Sequence, residues 1–160
     1  FFLGPVVVGL AVPLFYHFHK MKKQFITILF AITLGSLTTV GIAIALAHYW
    51  IGIDVITTTI ASKSVTTPVA VAIADQTGGI SALAAAFVMV TGIIGAAIIP
   101  LLLKLFRLDS PQTTGISLGV CAHAVGTSRA IELGQEYAAY SAMAMTLTAS
   151  LHAILLPWLL

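Results

Sequence analysis

Two runs without a single charged residue, 24–47 and 80–103, constrain this chain more than anything else in it. A helix needs roughly 20 apolar residues to cross the hydrocarbon of a bilayer, and each run exceeds that length. A soluble domain carries about 25% charged residues, whereas this chain carries 8% and has a mean hydropathy of +1.09. The fold expected is an all-α, polytopic transmembrane bundle, a single membrane domain over residues 1–160, whose core is helix against helix. At roughly 20 residues per span the length amounts to about five or six membrane segments.

The charges that remain mark the ends of these segments. Residues 1–16 are apolar and stop at a basic stretch, His17 to Lys23, which the positive-inside rule places in the cytoplasm. The first uncharged run ends at His48-Tyr49-Trp50, rings of the kind that gather at a membrane surface, and Gly52 with Asp54 completes a turn. The second uncharged run ends at Lys104 and Arg107, and residues 137–160 form the last span. The chain opens at Phe1 inside an apolar run, with no basic leader and cleavage site before it. A fragment lacking upstream helices is expected.

Two segments do not fit straight lipid-facing helices. Lys63-Ser64-Val65-Thr66-Thr67-Pro68 is a polar hexapeptide within apolar sequence, and Thr67-Pro68 reads as a helix start, with a hydroxyl N-cap and proline at the first helical position. The second is 112–134, which contains His123, Gly126, Thr127, Arg129 and Glu132. At a constant shift of 60 positions Val65 meets Val125, Thr67 meets Thr127, Ser81 meets Ser141 and Ala84 meets Ala144, which suggests an internal repeat with units near 52–108 and 112–160. If residues 55–74 cross the membrane, Lys104 and Arg107 fall on the outer face. If they dip in and return, both basic sites are cytoplasmic and the repeats are inverted, an arrangement common in secondary transporters. The pattern predicts two interrupted or re-entrant helices.

A charge at membrane depth normally faces a cavity or a partner. Lys63, His123 and Arg129 lie beside two expected helix N-termini, whose free N–H groups attract anions, and with the hydroxyls of Ser64, Thr66, Thr67 and Thr127 and the small Gly126 they suit a carboxylate. Other roles stand beside this one. Lys63 would then be a snorkelling lysine, Arg129 the i, i+3 partner of Glu132, and His123 a proton carrier, coupled with Glu132, or a packing residue. His152, Met143, Met145 and Cys121 read as packing residues. A single cysteine excludes an internal disulfide. No phosphate loop, metal-spaced Cys/His cluster, paired carboxylates or serine elbow occurs, so neither an enzyme, a metal nor a cofactor is expected, and the net charge of +2 makes no case for nucleic acid.

The hexapeptide at 63–68, the turn Gly78-Gly79-Ile80 and the stretch His123-Ala124-Val125-Gly126-Thr127-Ser128-Arg129-Ala130 resemble the signature stretches of the LrgB/CidB family. Ser128 stands where alanine is usual and Ile131 where alanine or leucine is expected, and the family's first helices are absent. The resemblance implies a multi-pass protein of the bacterial inner membrane, or of the plastid envelope in a eukaryote. Family members are described as antiholin-like or holin-like partners of LrgA/CidA proteins that influence murein hydrolases. Plastid relatives move glycolate and glycerate, and bacterial relatives are implicated in pyruvate movement. Two functions are therefore expected in competition: a carrier of a small monocarboxylate working with an LrgA-like partner and further copies of itself, and a regulator of autolysis with no substrate of its own.

Overall fold

The computed structural model describes residues 15–16 and 21–160; the apolar opening stretch and most of the basic stretch from His17 onward lie outside the described residues. The described chain is helical, in the order α1 (Phe25–Trp50), α2 (Asp54–Ala61), a 3-10 turn (Ser62–Ser64), α3 (Thr67–Thr77), α4 (Ser81–Leu105), α5 (Pro111–Leu133) and α6 (Gln135–Leu159).

Three of these helices, α1, α4 and α6, are long and apolar enough to cross a membrane. Their burial is confined to stripes. On α1 the buried residues are Ile28, Ile32, Ser36, Val40, Ala43 and Ala47, and on α4 they are Ala84, Val88 and Gly92. Steps of three and four keep such residues on one face, while Phe30, Leu34, Val90, Ile94 and Leu101 face outward. An apolar outer face on an apolar helix suits lipid and makes no sense in water, so the chain is a membrane protein. The last span begins earlier than the sequence suggests, because Gly134 alone turns the chain and Gln135, Glu136 and Tyr137 already belong to α6.

Packing sets the directions. Met21, Ile28 and Ile32 share a cluster with Val120, Ala139, Tyr140, Met143 and Ala144, whereas Val40 shares one with Leu156. Helices α1 and α6 therefore run side by side in the same direction. Lys22 and Lys23 precede α1, α6 begins where α5 ends, and a short connection joins Lys104 and Arg107 to α5. These basic residues consequently gather at one end of the bundle. His48, Tyr49 and Trp50 mark the other end, with the rings of His48 and Tyr49 set edge to face at 5.5 Å.

The two polar segments are broken helices. Helix α2 returns alongside α1, the chain turns at Ser62–Ser64, and Val65 and Thr66 are extended before α3 starts. The helix start lies one residue earlier than the sequence suggests: Thr66 is the N-cap, Thr67 the first helical residue and Pro68 the second, and no side chain caps it. Helix α3 then runs back and ends at Gly78 in the left-handed conformation (φ 75°), which a residue with a Cβ adopts reluctantly. The N–H of Ile80 donates to Thr59 Oγ1 at 2.9 Å, which ties the chain just past α3 to the last turn of α2. Ser81 Oγ donates to Asp75 Oδ1 at the same turn.

Helix α5 breaks at His123, where φ is 41° and ψ is −124°, a costly conformation for any residue with a Cβ. Before the break the chain runs parallel to α6: Gly115 lies against Tyr137 and Tyr140, and Gly119 against Ser141, Ala144 and Met145. The Gly115-x-x-x-Gly119 spacing removes side chains where the two backbones touch, as helices in lipid require. After the break Gly126 packs back on Leu118 and Ala122, and the returning half ends beside the start of α6. Both segments are thus hairpins, one opening at each end of the bundle, and their tips meet in the middle. The 3-10 turn touches α1, α4, α5 and α6.

Candidate functional site

The centre of the bundle is polar although everything around it is apolar. Ser36, Thr59, Ser62, Ser64, His123, Thr127, Ser141, Thr148 and His152 are all buried. Lys63, half-buried, sits at the tip of the first hairpin with Nζ donating to Ser64 Oγ at 3.1 Å. The 3-10 turn that carries it touches α5 and α6, which brings the second broken segment and α6 beside it. Among the described residues no carboxylate lies within ion-pair distance of Lys63. A lysine at this depth with a single hydroxyl partner has N–H groups to offer a ligand.

Around the second tip the hydroxyls are largely satisfied. Thr127 Oγ1 donates to the carbonyl of His123 at 2.8 Å and lies 2.9 Å from Ser141 Oγ, with Met145 Sδ at 3.7 Å. These bonds hold the returning half of α5 against α6 and close the carbonyl that the break leaves free. Thr127 is four residues past the break, so the helix restarts earlier than its hydroxyl suggests. The backbone of Val88 faces the His123 ring, but His123 Nε2 has no hydrogen-bond partner.

Arg129 is placed elsewhere. It forms the i, i+3 ion pair with Glu132 that their spacing anticipates, and both side chains lie on the outside of the bundle, 46% and 64% exposed. Arg129 borders an outward-opening groove with Ile93, Ala97, Pro100 and Val125. The structure therefore brings together Lys63, Ser64 and His123, sets Thr66 and Thr67 beside them at the start of α3, ties Thr127 to α6, and leaves Arg129 and Glu132 outside. His152, read from sequence as packing, belongs to the centre, and no pattern in the sequence marks it: it is a lone polar residue in an apolar span.

Two clefts approach this centre along opposite ends of α1. One, of about 400 Å³, is lined by Ala43, Leu46, Trp50, Ile60 and Lys63, toward the Trp50 end of α1. The other, of about 330 Å³, is lined by Ala31, Gly35, Gln112, Ser117 and Cys121 and opens at the basic end. Lys63 lines the first and Cys121 the second.

A helical membrane protein built on three long apolar helices, with two broken hairpins meeting around a buried polar centre, is the class that fold and site define. The chain belongs to the LrgB-like family, whose model matches residues 1–160. It is 33% identical over 158 residues to "Antiholin-like protein LrgB" of Bacillus cereus (strain B4264), covering 98% of this chain and 68% of that protein. It is 39% identical over 150 residues to "Uncharacterized protein YxaC" of Bacillus subtilis (strain 168), covering 93% of this chain and 65% of that protein. "Uncharacterized protein YwbG" of the same strain is 33% identical over 159 residues, 99% of this chain and 70% of that protein. The chain thus spans about two thirds of the length of these relatives. No solved structure matches it. The family, and the antiholin-like names within it, point to a membrane protein that is not an enzyme.

Proposed function

We propose that this protein carries a small monocarboxylate, of the pyruvate, glycolate or glycerate class, across the bacterial inner membrane together with an LrgA-like partner and further copies of itself. The observation that carries the reading is Lys63: a cation at the tip of one broken hairpin, without a carboxylate partner among the described residues, beside the tip of the other. An anion would complete it, and such a charge-assisted bond is about twice as strong as a neutral one. In this reading both hairpins are re-entrant from opposite faces and the units 52–108 and 112–160 form an inverted repeat, so that carriers of this kind expose the site to each face in turn. The basic end, with Lys22, Lys23, Lys104 and Arg107, is then cytoplasmic. The clefts beside α1 serve as the two approaches.

Uptake of labelled pyruvate, glycolate and glycerate into proteoliposomes holding the full-length protein, with and without the LrgA-like partner, tests this. Saturable uptake of at least one acid that falls when Lys63 becomes alanine is expected; uptake indifferent to Lys63 overturns it. The second reading, an antiholin-like regulator of murein hydrolases without its own substrate, is favoured by the relatives' names and by the Arg129–Glu132 pair turned outward, where another chain could meet it. It prevails if no acid is taken up while deletion of the protein alters autolysis.

A further inference from the structure

Thr148 and His152 are the unexplained part of the centre. Both lie on the inward face of α6, 0% and 1% exposed, yet Thr148 Oγ1 and both ring nitrogens of His152 have no hydrogen-bond partner among the described residues, and His123 Nε2 on α5 has none either. The backbone of Ser36 on α1 lies next to the His152 ring without hydrogen-bond geometry to either nitrogen. Buried polar groups are almost always paired, because water gives up its bonds to them when they are buried. Thr148 and His152 stand one helical turn apart on the same face of α6.

Their spacing explains which half of the face is open. Ser141, Met145, Thr148 and His152 follow each other by steps of four, three and four, a single stripe along α6. The first two are occupied by Thr127 from the tip of α5. Thr148 and His152, one turn and two turns further on, have side-chain polar atoms with no hydrogen-bond partner among the described residues.

We propose that Thr148 and His152 form the second wall of the anion site, donating hydrogen bonds from α6 to a small carboxylate whose charge faces Lys63, in the position that sequence alone would give to Arg129. The proposal rests on the monocarboxylate reading and deepens it, since it names the groups that hold the acid opposite the cation. A neutral imidazole has one donor and a hydroxyl has one, while a carboxylate offers two oxygens. Lys63 neutralises the charge and α6 fixes the orientation. Because α6 crosses the bundle whole whereas Lys63 sits on a hairpin tip, the ligand would join a rigid element to a breakable one.

A packing role and a binding role differ in what they predict for KM. If the two residues merely fill space, Thr148→Val and His152→Phe remove unpaired polar atoms at little change of shape, and the protein gains stability with transport intact. If they bind the acid, the same variants melt no lower than the wild type but raise KM for labelled glycolate or pyruvate by about tenfold, the loss expected for one hydrogen bond to a charged group. His152→Asn, which keeps a donor, recovers part of the affinity. The samples are full-length protein in detergent for melting and in proteoliposomes for uptake. KM within about twofold of wild type for both Thr148→Val and His152→Phe overturns the proposal. Where wild-type vesicles take up neither acid, the carrier reading falls, and millimolar glycolate or pyruvate is tested for a rise in melting temperature. A rise lost in Thr148→Val supports the site without transport, and no rise overturns it.

Discussion

Replacing Gly126 by alanine separates a hairpin from a straight helix by the sign of its effect. In the interior of an ordinary helix the change adds helix propensity and stabilises by about 0.8–1.0 kcal/mol. In this fold a Cβ at Gly126 would stand 2.7 Å from Ala122 Cβ and would overlap the carbonyl oxygen of Leu118. In a continuous helix, Cβ atoms four residues apart are about 5–6 Å from each other, so such crowding arises only because the chain folds back at His123. One of the opposing atoms is backbone, so the returning half of α5 must move away from its partner half. Overpacking of this kind costs roughly 1–3 kcal/mol. Gly41 on α1 is the control, since a Cβ there meets nothing within 4 Å. The assay is thermal unfolding of the purified full-length protein in detergent, where 1 kcal/mol corresponds to about 2–4 °C for a chain of this size. Gly126→Ala is expected to melt several degrees below the wild type, and Gly41→Ala at or above it. If Gly126→Ala behaves like Gly41→Ala, the two halves of α5 do not touch and the geometry of the centre is wrong.

Lys63→Met, which keeps the stem and deletes the ammonium, should weaken glycolate or pyruvate affinity about ten- to hundredfold in proteoliposome uptake, because one charge-assisted hydrogen bond is lost. Arg129→Ala is expected to impair transport and Arg129→Ala with Glu132→Ala to restore much of it, since the pair is engaged with itself and not with Lys63; a double variant as defective as the single would put Arg129 back in the site. With Cys121 replaced by alanine, Lys23→Cys and Lys104→Cys should react with an impermeant maleimide from the same side of intact cells or inverted vesicles, and Asp54→Cys from the other. Labelling of Lys23→Cys and Lys104→Cys from opposite sides would refute the packing order of α1, α4 and α6.

The long helices were legible because lipid leaves a simple trace in sequence: an uncharged run of sufficient length has few alternatives. The hairpins were legible as anomalies, from a lysine at 63 and a Thr-Pro start, and their break points were harder. The α3 start moved by one residue, since Thr66 and Thr67 are equally plausible caps and the extended backbone, not a side-chain bond, decides between them. The α5 break falls on His123, a residue type that tolerates positive φ better than most but does not mark a break in sequence; Gly115 and Gly119 packed on α6, and Gly126 packed on the first half of α5, accompany it. The pairing of Arg129 with Glu132 could be read from their spacing, but their outward position could not, because it depends on which face of the returning half meets α4. His152 was missed for a related reason. Whether a buried imidazole has a partner is a property of everything around it, and no single residue announces it.

The dependence of α5 on α6 also orders events during synthesis. The surface that Gly115, Gly119 and Thr127 require belongs to the helix that follows them, and α5 has more of its packing there than on α1 or α4. While α6 is still within the ribosome, the paired glycines have no backbone to pack against and Thr127 lacks Ser141. The packing of the second hairpin is therefore complete only once α6 is in place, which makes α6 the step that completes the fold, and a chain stopped at Gly134 would expose Gly115 and Gly119 without their partner surface.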